Sequence, residues 1–170
     1  MEPYVHVTYC DDIRREIGNK KTLVGIYGTD LFVPEIPTVI SKLCLVIQVV
    51  YPMDSPINRL HIRILRDEDQ VGDIKLNDDV LARDDATPAE SKDAEPYPGY
   101  VRRRALTAEL VISPFVIERP GTIRVVADTD RGEYRGSFLR VRLAPKSAEM
   151  APTKASQSAR QKSASRRTKT

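Results

Sequence analysis

Apolar and polar residues alternate with period two along much of the chain, a pattern that predicts half-buried strands. In segment 4–10, Val5, Val7 and Tyr9 fall on one face and His6, Thr8 and Cys10 on the other. Segment 59–66 sets Leu60, Ile62 and Ile64 against His61, Arg63 and Leu65, and segment 105–112 sends Leu106, Ala108, Leu110 and Ile112 to one side. Segment 122–128 directs Ile123, Val125 and Ala127 inward. Segment 137–143 does the same with Leu139, Val141 and Leu143, leaving Arg140 and Arg142 outside. Segment 43–50 is apolar on both faces and predicts a central strand covered on both sides. Segment 21–27, rich in β-formers, adds another strand.

Turn chemistry separates these runs, at Gly18-Asn19, Pro52, Pro56, Pro120-Gly121 and Arg131-Gly132. Asp67-Glu68-Asp69 predicts a hairpin tip leading into a short strand at 71–76, and 128–133 predicts the tip between the last two strands. The one expected helix is short, at 11–17, with Asp11 or Asp12 as its cap and Gly18 as its stop. Short strands at this spacing predict an all-β fold, an immunoglobulin-like or C2-like sandwich of about seven to eight strands.

Charge divides the chain in two. The net charge of +3 is the sum of −3 for residues 1–143 and +6 for residues 144–170. The expected organisation is therefore a sandwich domain over 1–143 and a disordered basic tail over 144–170, where Ala, Ser, Thr, Lys and Arg leave little to bury. Within the domain, segment 77–99 is acidic and poor in large apolar residues, and predicts a long loop. No signal-peptide pattern opens the chain and no apolar run approaches membrane-spanning length, so a cytoplasmic protein with reduced thiols and no membrane partner is expected.

The stretch Cys10-Asp11-Asp12-Ile13-Arg14-Arg15-Glu16, with Gly18, Leu23 and Gly25-Ile26-Tyr27 after it, resembles a family of small uncharacterised bacterial β-sandwich proteins. The likeness covers about the first 70 residues, well under one typical domain length. It implies a coherent β domain and carries no activity with it; a bacterial or phage source is expected.

Catalytic equipment is sparse. The two histidines, His6 and His61, lie mid-strand opposite the apolar set, where a packing or surface role is expected. No Gly-x-Ser-x-Gly elbow, phosphate-binding glycine motif or zinc spacing occurs. Cys10, next to Asp11, is expected to be partly buried and unreactive. The protein is therefore expected to be non-enzymatic, without catalytic residues or cofactors.

Binding remains, in three forms. The first is a protein partner met through loop 77–99 with Tyr97 and Tyr100 at its end, or through an edge strand. The second is non-specific nucleic acid, met through the tail residues Arg166, Arg167 and Lys169 and an outward stripe of Arg124, Arg140 and Arg142. That stripe is expected to lack aromatic residues for base stacking, on a domain of net negative charge. The third is calcium, as in a C2-like module, with Asp67, Asp69, Asp128 and Asp130 as ligands gathered from two loops and Asp11, Asp12 and Glu16 near the N-terminus. Acidic residues also favour turns for their own sake, so calcium ranks below the other two.

Overall fold

A computed structural model describes residues 2–76, 81 and 102–145. The loop expected over 77–99, with Tyr97 and Tyr100, lies outside the described residues, as does the tail from residue 146 on, with Arg166, Arg167 and Lys169. Among the described residues no helix is long and apolar enough to cross a membrane.

The all-β class expected from alternation holds, but the described residues build twelve strands where about seven to eight were expected, because two short ribbons and a strand at Asp30–Val33 add to the alternating segments. Three of them, β1 (Tyr4–Cys10), β6 (Leu43–Pro52) and β9 (Arg103–Ile112), form one antiparallel sheet in the order β1-β6-β9. Five more form a second sheet in the order β4-β12-β11-β7-β8. These are β4 (Asp30–Val33), β7 (Leu60–Arg66), β8 (Asp69–Leu76), β11 (Gly121–Thr129) and β12 (Gly132–Leu143), and only the β4–β12 pair is parallel. Two ribbons complete the fold, β2 (Asp12–Arg15) with β3 (Lys21–Val24) and β5 (Thr38–Ile40) with β10 (Phe115–Ile117).

The core lies between the two larger sheets, where the inward sets predicted from alternation meet. Val5, Val7, Leu45, Ile47 and Val49 on one side face Ile62, Ile64, Ile123, Val125, Leu139 and Val141 on the other. Each such side chain contributes roughly 1.5–3 kcal/mol by leaving water. Tyr9 joins the sheets at one corner. Its ring is buried, and its hydroxyl donates to the Ser137 carbonyl at 2.9 Å, while the Ser137 hydroxyl donates to the Val7 carbonyl at 3.0 Å. Desolvation raises the Tyr9 phenol above its ordinary value.

Four local expectations are corrected. Segment 11–17 is a strand and turn, because seven residues give too short a helix to stand without a packed face. Gly18 and Asn19 both take positive φ, so the glycine read as a helix stop instead turns a hairpin. Segment 21–27 pairs only as far as Val24, where Gly25 at φ 65° ends the strand. The central strand β6 is sealed along its whole core face, while on its other face Cys44 is buried and Val46, Gln48 and Val50 are half-buried. Leu143, expected inward, ends β12 and is 51% exposed. As for the sandwich subtype, both cysteines lie on one sheet and the chain has no Trp, so the inter-sheet cystine packed on tryptophan of immunoglobulin domains has no counterpart.

Candidate nucleic-acid interface

The outer face of the five-stranded sheet gathers most of the outward-pointing residues named from the sequence. A one-residue bulge shapes it. Arg124 pairs with Phe138 but Val126 pairs with Arg135, so Gly136 and Ser137 together oppose Val125. The bulge restores the alternation one residue late, and Arg135 and Phe138 emerge on the same outer face. Gly136 is the residue that permits it, since a Cβ there would stand 2.6 Å from Val7 Cγ2 of the opposite sheet.

Three arginines stand at one end of this face. Arg124 is directly opposite Phe138, Arg140 opposite Thr122 and Asp30, and Arg142 opposite Phe32 of β4. Phe138 is 39% exposed and Phe32 52% exposed, with the Arg140 guanidinium 5.8 Å from the Phe138 ring centroid. The two rings stand about 14 Å apart at ordinary strand rise and spacing. The stripe therefore does carry aromatic side chains, contrary to expectation. Asp30 is the acid among them; its Oδ1 lies 3.0 Å from Arg140 Nε and 3.6 Å from Arg142 Nη1. Arg124 makes no ion pair among the described residues.

The other end of the face is neutralised. Arg63 bonds Asp128 through Nε at 2.6 Å and Glu133 through Nη2 at 3.0 Å, and Arg135 Nε reaches Glu133 at 2.9 Å. His61 and Lys75 both lie against Asp73, at 3.0 and 3.7 Å. Val126 points outward yet is only 2% exposed, as expected where long arginine stems cover an apolar surface. Between the two ends lies a recess of about 330 Å³ lined by Arg63, Leu65, Arg124, Val126, Glu133 and Arg135, with Asp67 and Glu68 at its rim.

Compared with protein-family models, curated proteins and solved structures, the chain matches none. The functional reading therefore rests on geometry alone.

That geometry disposes of the gathered calcium site. Asp67 and Asp69 follow β7, whereas Asp128 and Asp130 stand beside its start, where Leu60 pairs with Thr129. The two tips are about 20 Å apart, the length of a seven-residue strand. Each carboxylate is also engaged. Asp67 accepts from the Thr122 amide at 2.8 Å, Asp69 lies 3.5 Å from Arg119, and Asp128 is held by Arg63. Asp130 accepts from the Asn58 amide at 3.0 Å and from Asn58 Nδ2 at 3.1 Å, which ties the turn to the start of β7. Asp12 is held by Lys42, which keeps its carboxyl below the usual carboxylate range, and Glu16 accepts from the Thr22 hydroxyl at 2.9 Å. No group of three metal-ligating side chains occurs among the described residues.

The negative charge of the domain is local as well. Residues 77–101 carry −5, and the described residues carry +2. The strands that build the arginine face are therefore not acidic overall. Phe138 was within reach of the sequence, two residues before Arg140 in one alternation. Phe32 was not, because nothing local pairs segment 30–33 with the last strand.

Proposed function

We propose that the protein is a non-enzymatic binding module that takes single-stranded nucleic acid on the outer face of its five-stranded sheet. The observation that carries this reading is the pair of exposed rings, Phe32 and Phe138, set among Arg124, Arg140 and Arg142. Single strands offer π-faces that stack on aromatic side chains and phosphates that arginines neutralise; a duplex hides its bases. A flat sheet surface with stacking residues suits splayed-out bases. The basic tail adds phosphate contacts without sequence preference.

The test is fluorescence anisotropy with labelled single-stranded RNA and DNA, against duplexes of equal length, over a series of salt concentrations. Single strands should bind more tightly than duplex. With three face arginines engaged, log affinity should fall with log salt at a slope steeper than about −2, at roughly −0.7 per phosphate. Replacing Arg166, Arg167 and Lys169 by alanine in the full chain should flatten the slope and leave the preference for single strands. Loss of all binding in that triple variant would place the activity in the tail and end this reading.

A further inference from the structure

Cys10 and Cys44 are direct partners across the β1–β6 ladder. Directly opposite residues of an antiparallel pair project to the same side, with Cα atoms about 4.5–5.5 Å apart, within the span a disulfide bridges. Here that side is the one away from the core, since Tyr9 and Leu45 take the core face. Both thiols are nonetheless buried, at 0% and 1% exposure, and both are free.

The β2–β3 ribbon is what covers that end of the sheet. It contributes the half-buried Ile13, Leu23 and Val24, and the Asp11 amide donates to the Val24 carbonyl at 2.9 Å. The Cys44 thiol donates to the Asp11 carbonyl at 3.5 Å and the Tyr27 amide to the Tyr9 carbonyl at 2.9 Å, and the remaining ties are ion pairs near the surface. Lys42 lies 2.6 Å from Asp12, Arg15 3.3 Å from Glu109 of β9, and Lys21 also pairs with Glu109. Such ion pairs hold weakly, which lowers the cost of lifting the ribbon from the thiols.

We propose that Cys10 and Cys44 are a redox-active thiol pair, closed to a cross-strand disulfide by small disulfides when the β2–β3 ribbon lifts. The thiolate of one cysteine attacks a sulfur of the small disulfide, forms a mixed disulfide and expels one small thiol. The second cysteine attacks the protein sulfur of that mixed disulfide and expels the other small thiol. Two electrons pass from the protein sulfurs to the oxidant, and the two cysteine protons leave on the small thiols. Burial raises both thiols above their ordinary value, Cys10 further through Cys44, which keeps the closed form unreactive. Opening therefore sets the rate.

The experiment incubates the folded full chain with oxidised glutathione at mildly alkaline pH, alkylates it in denaturant and reads intact mass. The wild type should lose both alkylation sites together, by the mass of two hydrogens, with Cys10 and Cys44 recovered in one cross-linked peptide pair. Cys10→Ser and Cys44→Ser should each stop at a glutathione adduct. Glu109→Gln, which loosens the ribbon without touching either thiol, should quicken oxidation roughly two- to fivefold. Retention of two alkylatable thiols in the wild type, accumulation of its glutathione adduct, or cross-links between chains would each overturn the proposal. An unchanged rate in Glu109→Gln would overturn the ribbon as the gate.

Discussion

The two ends of the outer face of the five-stranded sheet use similar residues to opposite effect. At the end near the β11–β12 turn, Arg63, Arg135, His61 and Lys75 each lie against an acid on the same or a neighbouring strand. At the opposite end, where β12 pairs with β4, Arg124, Arg140 and Arg142 have Asp30 as the one ion-paired acid among the described residues, and two phenyl rings stand exposed beside them. Charge pairing across strands is what a solvated sheet needs for stability. Three arginines sharing one carboxylate leave a net positive field beside the exposed rings, which suits an anionic partner. The proposed interface rests on that difference.

The comparison depends first on the bulge that brings Arg135 and Phe138 to one side. Gly136→Val should break it, because even a Cβ there would meet Val7 Cγ2 at 2.6 Å. Overpacking of this kind costs about 2–3 kcal/mol, to be read from the urea midpoint at unchanged slope. The two ends can then be broken separately. Phe138→Ala and Phe32→Ala should each weaken single-strand binding by about tenfold to a hundredfold, the range of one base–aromatic stack. Their exposed positions limit the stability change to about 1 kcal/mol or less. Arg63→Ala should do the reverse. It leaves Asp128 without its cation and Glu133 with Arg135 alone, costing about 1–2 kcal/mol of stability, and should change affinity by less than about twofold. If Arg63→Ala and Phe138→Ala weakened binding equally, the two ends would not be distinct.

Much of this architecture was legible in the chain, because alternation reports which side of a strand is buried. The inward sets of β1, β7 and β11 were read correctly, as were the tips at Asp67-Glu68-Asp69 and Asp130-Arg131. What escaped was the pairing between distant segments. The Tyr9 hydroxyl and the Ser137 carbonyl are 128 residues apart, and no local pattern announces their bond. The same limit misplaced the acidic tips at one end, since which ends of two strands coincide is decided by register. Nor did alternation alone show that Cys10 and Cys44 face each other, though one lies at the end of a strand and the other near the start of its partner.

The smallest change sharpens the comparison most directly. Asp30 is the feature the basic end shares with the neutral end: a carboxylate within ion-pair distance of two arginines. Its Oδ1 is buried and its two oxygens take Arg140 Nε at 3.0 Å and Nη2 at 3.2 Å, while the Arg140 and Arg142 side chains stay 45% and 55% exposed, so the carboxylate holds guanidiniums that a ligand can still reach. Asp30→Asn keeps the shape and the β4 backbone pairing but removes the charge. If the face serves an anionic strand, freeing both guanidiniums should tighten binding by about threefold at low salt and steepen the salt slope. If Asp30 instead fixes the arginines in a productive geometry, as carboxylates do for bidentate phosphate contacts, affinity falls and the slope flattens. Either shift ties Arg140 and Arg142 to the ligand. An unchanged affinity and slope would mean that these two arginines never meet it, and would confine the interface to Arg124 and the rings.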